Sequence, residues 1–275
     1  MAEEECLDPH GLSEKIKSYW SEKAEQRGLD PRATTFDFNQ KQLEVEDVFR
    51  FFLNLDRENI KILDIGCGTG YLSCELAQKG LWEIHGVDYS DKIIEVCNQR
   101  RELLDDADKE RLFFRCADVL DLPYESQFFD VVIGERILIN LPSLEQQKRA
   151  VQEIARVLKP QGFYLMFEGS KEGLQRLNNL RKLYGLYEIG DHWTQFKIEE
   201  KTFIPFLENH FNVINLKRYG MFYFLSRIIH PLLVAPEEPK YDAPINNVAR
   251  YVASFTSNYE DIGHLIFITL RKGDE

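Results

Sequence analysis

The stretch Lys61-Ile-Leu-Asp-Ile-Gly-Cys-Gly-Thr-Gly70 constrains this chain most. Lys61 to Ile65 reads as a short buried strand, and Gly66, Gly68 and Gly70 form a loop that runs straight into a helical pattern. An apolar strand, a glycine turn and a helix N-terminus together make a nucleotide-cofactor site. Backbone without Cβ atoms approaches a ligand closely, and the first helical amides point at it. Which nucleotide it holds must be read from the rest of the chain.

Strand and helix alternate after this stretch. Glu83–Asp88, Arg111–Cys116, Phe129–Gly134 and Phe163–Phe167 read as strands two to five. Ser90 caps a helix with Ile93, Ile94, Val96 and Cys97, and Ser143 begins one whose Gln146 completes a capping box. Phe211–Lys217 reads as a sixth strand, and His264–Arg271 as a seventh that alternates as an edge or hairpin partner would. The chain opens with two helices, over about 13–27 with Ser13 as N-cap and over about 39–53. The expected fold is α/β: a Rossmann-like, doubly wound, seven-stranded and mostly parallel sheet, with an N-terminal helical lid and a C-terminal cap insertion. One domain accounts for residues 1–275, with N-terminal helices over 1–55, a cofactor-binding core over 56–170, and the cap and last strands over 171–275.

The net charge of −12 argues against a broad nucleic-acid or anionic-membrane surface, which needs excess Lys and Arg. No signal peptide is read at the acidic N-terminus, and the apolar stretch 221–235 is too short and too polar to span a bilayer. Five cysteines with no C-x-x-C pair suggest neither a metal site nor a disulfide framework. They read as free thiols in a reducing cytoplasm, and a cytoplasmic location is expected.

The glycine pattern is G-x-G-x-G, and Tyr71 stands where a dinucleotide fingerprint needs Gly or Ala, which disfavours NAD. Asp88 ends the second strand 24 residues beyond Asp64, where a carboxylate can accept from two ribose hydroxyls. Asp118 follows the third strand, within reach of an adenine amino group. In doubly wound sheets all these positions meet at the carboxyl ends of the strands.

With these residues in view, the chain resembles the class I S-adenosylmethionine-dependent methyltransferases. The resemblance rests on Ile62–Gly70, Gly86-Val-Asp-Tyr-Ser90, Ala117-Asp-Val119 with Leu122-Pro-Tyr124, Phe129-Asp-Val-Val132 and Arg156-Val-Leu-Lys-Pro-Gln-Gly162, in the family's order and spacing. Gln161 departs from it, standing where Gly is commoner, at a turn remote from the ligand. The resemblance implies S-adenosyl-L-methionine as cofactor. Gly66, Cys67, Gly68 and Gly70 would line its methionine and ribose portions, Asp88 and Tyr89 the ribose, and Ala117, Asp118 and Val119 the adenine. Asp64 would anchor the loop or hold the methionine amino group, Glu135 would touch the cofactor, and Tyr19 would belong to a helix that closes over it.

The acceptor chemistry is sought at the later strand ends and in the cap. Glu135, Glu168 and His192 are the candidate catalytic groups, with His210 and His230 as weaker candidate bases. Arg136, Asn178, Arg181, Tyr223, Arg227 and Asn246 are the candidate acceptor contacts, and three arginines suit an anionic group. The N-terminal helix, Glu135-Arg136 and the Asn- and Arg-bearing cap look like small-molecule or sugar methyltransferases. That likeness favours transfer to an oxygen of a metabolite, sugar or sugar-linked anionic group. N-methylation of a small amine and cofactor binding without turnover are the alternatives. A small-molecule acceptor, no nucleic acid and no membrane are expected, and monomer and homodimer both stay open.

Overall fold

A computed structural model describes residues 8–55, 57, 59–256 and 262–274. The acidic start of the chain and residues 257 and 258 of the expected insertion lie outside them. The elements are α1 (Pro9–Arg27), α2 (Phe38–Leu53), β1 (Lys61–Ile65), α3 (Tyr71–Lys79), β2 (Glu83–Asp88), α4 (Asp91–Arg101), α5 (Asp106–Lys109), β3 (Leu112–Cys116), β4 (Phe129–Glu135), α6 (Leu144–Val157), β5 (Leu158–Gly169), α7 (Lys171–Leu183), α8 (Glu200–Glu208), β6 (Phe211–Arg218), α9 (Gly220–Phe224), α10 (His230–Val234), α11 (Pro244–Phe255) and β7 (Leu265–Lys272).

The seven strands form one sheet in the order β3-β2-β1-β4-β5-β7-β6. Neighbours from β3 to β5 pair in parallel, while β7 runs antiparallel to both β5 and β6. Strand order reverses between β1 and β4, so a crevice opens beyond their carboxyl ends. Successive residues of β1 point to opposite faces, as the period of two requires. Ile62 packs in one core with α2, α3 and the cap, and Leu63 packs in the other with α6 and α8.

Several boundaries differ from the sequence reading for local reasons. α1 begins at Pro9 because Asp8 accepts from the Gly11 amide at 2.8 Å, and a proline suits the first helical position. Ser13 therefore lies inside the helix and bonds back to the Pro9 carbonyl. β5 starts at Leu158, directly after α6, so the segment 159–162 belongs to the strand rather than to a separate turn. β7 is not an edge strand. It lies between β5 and β6, and its first six residues are buried in succession, as a strand covered on both faces must be. Gln161 has φ +60°, a left-handed backbone that explains why glycine is the commoner residue there.

The N-terminal helices sit over the crevice. Trp20 Nε1 donates to Asn140 Oδ1 at 3.0 Å, and the Ser21 and Ser90 hydroxyls share a bond of 2.6 Å, which holds α1 against the β4 exit and α4. α2 turns a polar stripe inward: Gln40, Lys41, Glu44 and Asp47 are all buried. Each is answered by a partner in the sheet or cap. Tyr223 donates to Gln40 at 2.7 Å and Tyr219 to Asp47 at 2.7 Å. Lys217 also pairs with Asp47 at 2.7 Å.

Candidate active site

A cavity of about 720 Å³ occupies the crevice. One wall is the glycine loop. Gly66, Gly68 and Gly70 have φ of +63°, +52° and +71°, values that side chains rarely adopt. A Cβ on Gly68 would stand 2.9 Å from Thr34 Oγ1, so the loop is held close beneath the segment joining α1 to α2. Arg100 Nε fastens the loop by donating to the Thr69 carbonyl at 2.8 Å.

The strand ends supply the polar groups of this wall. Asp88 accepts from the Gly68 and Ser90 amides, each at 3.2 Å, and faces the cavity. Burial pushes its carboxyl up to about 7, against the pull of those amides. Asp64 does not reach the cavity. It is buried and accepts from Ser73 Oγ at 2.5 Å, which ties β1 to the first turn of α3, and burial pushes it up to about 7. Of its two expected roles, loop anchoring is the contact made. Cys67, Tyr89, Ala117, Asp118 and Val119 line the same wall. Asp118 also closes a local turn by accepting from the Leu120 amide at 2.9 Å. Gly70 lies behind the wall, at the start of α3.

At the exit of β4 two ion pairs meet the cavity. Glu135 pairs with Lys41, and Arg136 pairs with Glu44. Glu135 Oε1 is buried with no hydrogen-bond partner, and so is Glu44 Oε2. Arg136 has φ +58°, and this left-handed turn sends the two successive side chains into different partners.

The cap forms the opposite wall. Arg181, Arg227, Asn246 and His192 line it as expected, and His230 lines it too. Arg227 pairs with Asp37 and lies 4.8 Å over the Tyr241 ring. Asn246 donates to the Lys240 and Tyr241 carbonyls, while its Oδ1 is buried without a partner. His192 shares a 2.9 Å bond with Thr194 Oγ1, and burial together with Lys197 lowers its pKa.

Five other expected positions do not behave as site residues here. Glu168 is fully buried, where it accepts from the Leu138 and Ile139 amides at 2.8 and 3.1 Å and caps the short helical turn after β4. It is therefore no general base for a ligand in the cavity. Asn178 is consumed by the Ile189 backbone, donating to its carbonyl at 3.0 Å and accepting from its amide at 2.9 Å. Tyr223 is buried behind the wall on Gln40. Tyr19 packs outside the cavity, its ring 5.5 Å from that of His192 and 5.4 Å from that of Trp193. His210 packs on Phe206 at 5.1 Å, also away from the cavity.

The sequence reading missed Lys41, Lys197 and His264, all of which line the cavity. Burial and the cations Lys197, Arg227 and Arg136 push His264 down to about 3, so it is neutral. Its only available signal was position, one residue before the last strand.

Residues 63–166 match the family model described as a methyltransferase domain. The 27-O-demethylrifamycin SV methyltransferase of Amycolatopsis mediterranei is 34% identical over 106 residues, 38% of this chain and 37% of that protein. The demethylmenaquinone methyltransferase of Staphylococcus aureus is 31% identical over 130 residues, 46% of this chain and 51% of that protein. The chain thus spans about half or less of the length of these curated relatives. Magnesium protoporphyrin IX methyltransferase from Synechocystis, solved with S-adenosylhomocysteine bound, shares the fold with a TM-score of 0.62 at 16% identity, over 97% of this chain and 100% of that one. Residues 63–166, under half of the chain, are thus similar to methyltransferase domains, and the fold is one that S-adenosylhomocysteine-bound methyltransferases share.

The closeness of Gly68 to Thr34 makes a direct test. Gly68→Ala forces a side chain into a left-handed backbone and against Thr34, and should weaken S-adenosylhomocysteine binding at least about tenfold by calorimetry. The far-ultraviolet circular dichroism spectrum should be unchanged. Wild-type affinity in this variant would contradict the close fit of the loop.

Proposed function

We propose that this protein, as one domain, is an S-adenosylmethionine-dependent methyltransferase of small molecules that methylates an oxygen of a metabolite, such as a sugar or a sugar-linked anion. The observation that carries the oxygen reading is the cationic lining of the cap wall, where Arg181, Arg227 and Lys197 face the cavity. Arg227 and Lys197 are matched by Asp37 and Asp191, so it is Arg181, with no described carboxylate partner, that disfavours an ammonium acceptor beside it and favours an ionised oxygen. The two curated relatives are named for methylation of a rifamycin and of a menaquinone precursor, which supports a small-molecule acceptor.

The residues present fit the cofactor. Asp88 offers a carboxylate to ribose hydroxyls, and the glycine loop leaves room for close backbone approach. Glu135 Oε1, buried and unpartnered, suits an ammonium, and the neighbouring Lys41 and Arg136 suit a carboxylate. Bound there, S-adenosylmethionine supplies an electrophilic sulfonium methyl. Trp20 and α1 exclude water from above, and in-line positioning is the main demand on the remaining walls. His192 and His230 both face the cavity with lowered pKa values and are the candidate bases, while His264 is too weak a base for the task.

The pH dependence of cofactor binding follows from Asp88. Its carboxyl stands at about 7 in the free protein, and hydroxyl donors favour the ionised form. Binding therefore expels a proton on the acid side, and S-adenosylhomocysteine affinity should rise about tenfold from about pH 6 to about pH 8 and then level off. Asp88→Asn should flatten the profile, and a flat wild-type profile would exclude the ribose role. The function itself is tested by a labelled-methyl screen over hydroxylated sugars, nucleotide-linked sugars, carboxylates, phosphorylated metabolites and amines. Transfer to an oxygen acceptor is expected. Transfer to amines alone would overturn the oxygen reading, and cofactor binding with no transfer at all would favour a non-catalytic binding protein.

A further inference from the structure

Arg181 is a cation of the cap wall that no described carboxylate answers. It projects from α7 into the cavity, where its Nε donates to the Tyr187 carbonyl at 2.7 Å and a terminal nitrogen donates to the Arg227 carbonyl. Both partners are neutral, and no described Asp or Glu pairs with it. Two neighbouring cations have counterions: Arg227 holds Asp37, and Lys197 holds Asp191. The pKa of Arg181 is lowered by burial and by the neighbouring Arg227, as expected of a half-buried guanidinium beside a like charge. His264, on the same wall, is neutral and offers a buried Nδ1 with no partner. It supplies no negative charge.

The backbone that receives Arg181 is also unusual. Arg227 sits in a π-helical turn, Leu225–Ile229, between α9 and α10. Such turns leave carbonyls without their usual helical partner and recur at functional sites. Here the turn places its Arg227 carbonyl under Arg181 while Ser226, Arg227 and His230 line the cavity. Arg181 is thus braced by two carbonyls and held beside a second guanidinium, with no carboxylate of its own among the described residues.

We propose that Arg181, braced on the π-helical turn, is the receptor for an oxyanion group, phosphate or carboxylate, carried by the methyl acceptor. This rests on the methyltransferase reading and names the acceptor's binding handle. A guanidinium takes either group through two parallel charge-assisted hydrogen bonds, and Arg227 adds to the local field.

The test uses the full chain saturated with S-adenosylhomocysteine and titrated with inorganic phosphate and, separately, with benzoate, by calorimetry and thermal shift. At least one anion should bind saturably, and which one does so distinguishes a phosphorylated acceptor from a carboxylate. Arg181→Gln should weaken that binding at least about tenfold while S-adenosylhomocysteine affinity stays within about twofold. If R181Q does not fold, R181K carries the test. It keeps the charge without the fork and should bind the anion about three- to tenfold more weakly than wild type. No binding of either anion to the wild type, or undiminished binding to the variant, would overturn the proposal. Loss of S-adenosylhomocysteine binding by the wild type would instead strike at the methyltransferase reading.

Discussion

Two buried ion pairs, Lys41–Glu135 and Arg136–Glu44, hold the rest of this molecule in place. They join α2 to the carboxyl end of β4, at the point where the strand order reverses, and all four side chains are largely withdrawn from water. Burying such pairs does not by itself stabilise a fold, because desolvation consumes most of the Coulomb gain. What they provide is a unique geometry. Arg136 accepts a left-handed backbone, of the order of 1–3 kcal/mol of strain. Its amide donates to the Phe167 carbonyl at 2.7 Å and its guanidinium is held by Glu44. One oxygen of each carboxylate stays open, so the cluster is incomplete as a purely structural device.

From that clamp the cavity follows. With α2 fixed, its polar stripe becomes the hub to which the cap is tied, through Arg227 to Asp37, Tyr223 to Gln40, and Lys217 and Tyr219 to Asp47. The cap then stands opposite the glycine loop at a set distance, and the space between them becomes a two-walled chamber. One wall offers the glycine loop and strand-end carboxylates, and the other carries Arg181, Lys197, Arg227 and Lys240 among neutral residues and the carboxylates Asp191 and Glu238.

The cofactor wall was legible in the sequence because its demands fall on the backbone. Glycine is favoured at the left-handed positions 66, 68 and 70, where an added Cβ would also crowd a neighbouring side chain, and acidic residues at strand ends are conspicuous where most neighbours are apolar. The cap wall was legible only in part: Arg181, Arg227, Asn246 and His192 could be picked out, but the buried stripe of α2 that positions them looks like ordinary surface. Gln40, Lys41, Glu44 and Asp47 recur at helical spacing, as a solvated helix face would, and their partners lie far along the chain. Glu135 is 94 residues from Lys41, and Arg227 is 190 from Asp37. Glu168 misled for the same reason. A strand-end carboxylate reads as a catalytic group until one sees that it turns inward to accept two amides. β7 misled because alternation in a short strand does not reveal that a sixth strand folds back outside it.

The cofactor proposed for the chamber beside the glycine loop is an adenosyl sulfonium and not a dinucleotide. Calorimetric titration of the purified chain with S-adenosylhomocysteine and, separately, with NAD tests it most directly. Saturable one-to-one heat is expected with S-adenosylhomocysteine and none with NAD. Binding of NAD at equal strength, or no heat with S-adenosylhomocysteine, would contradict it.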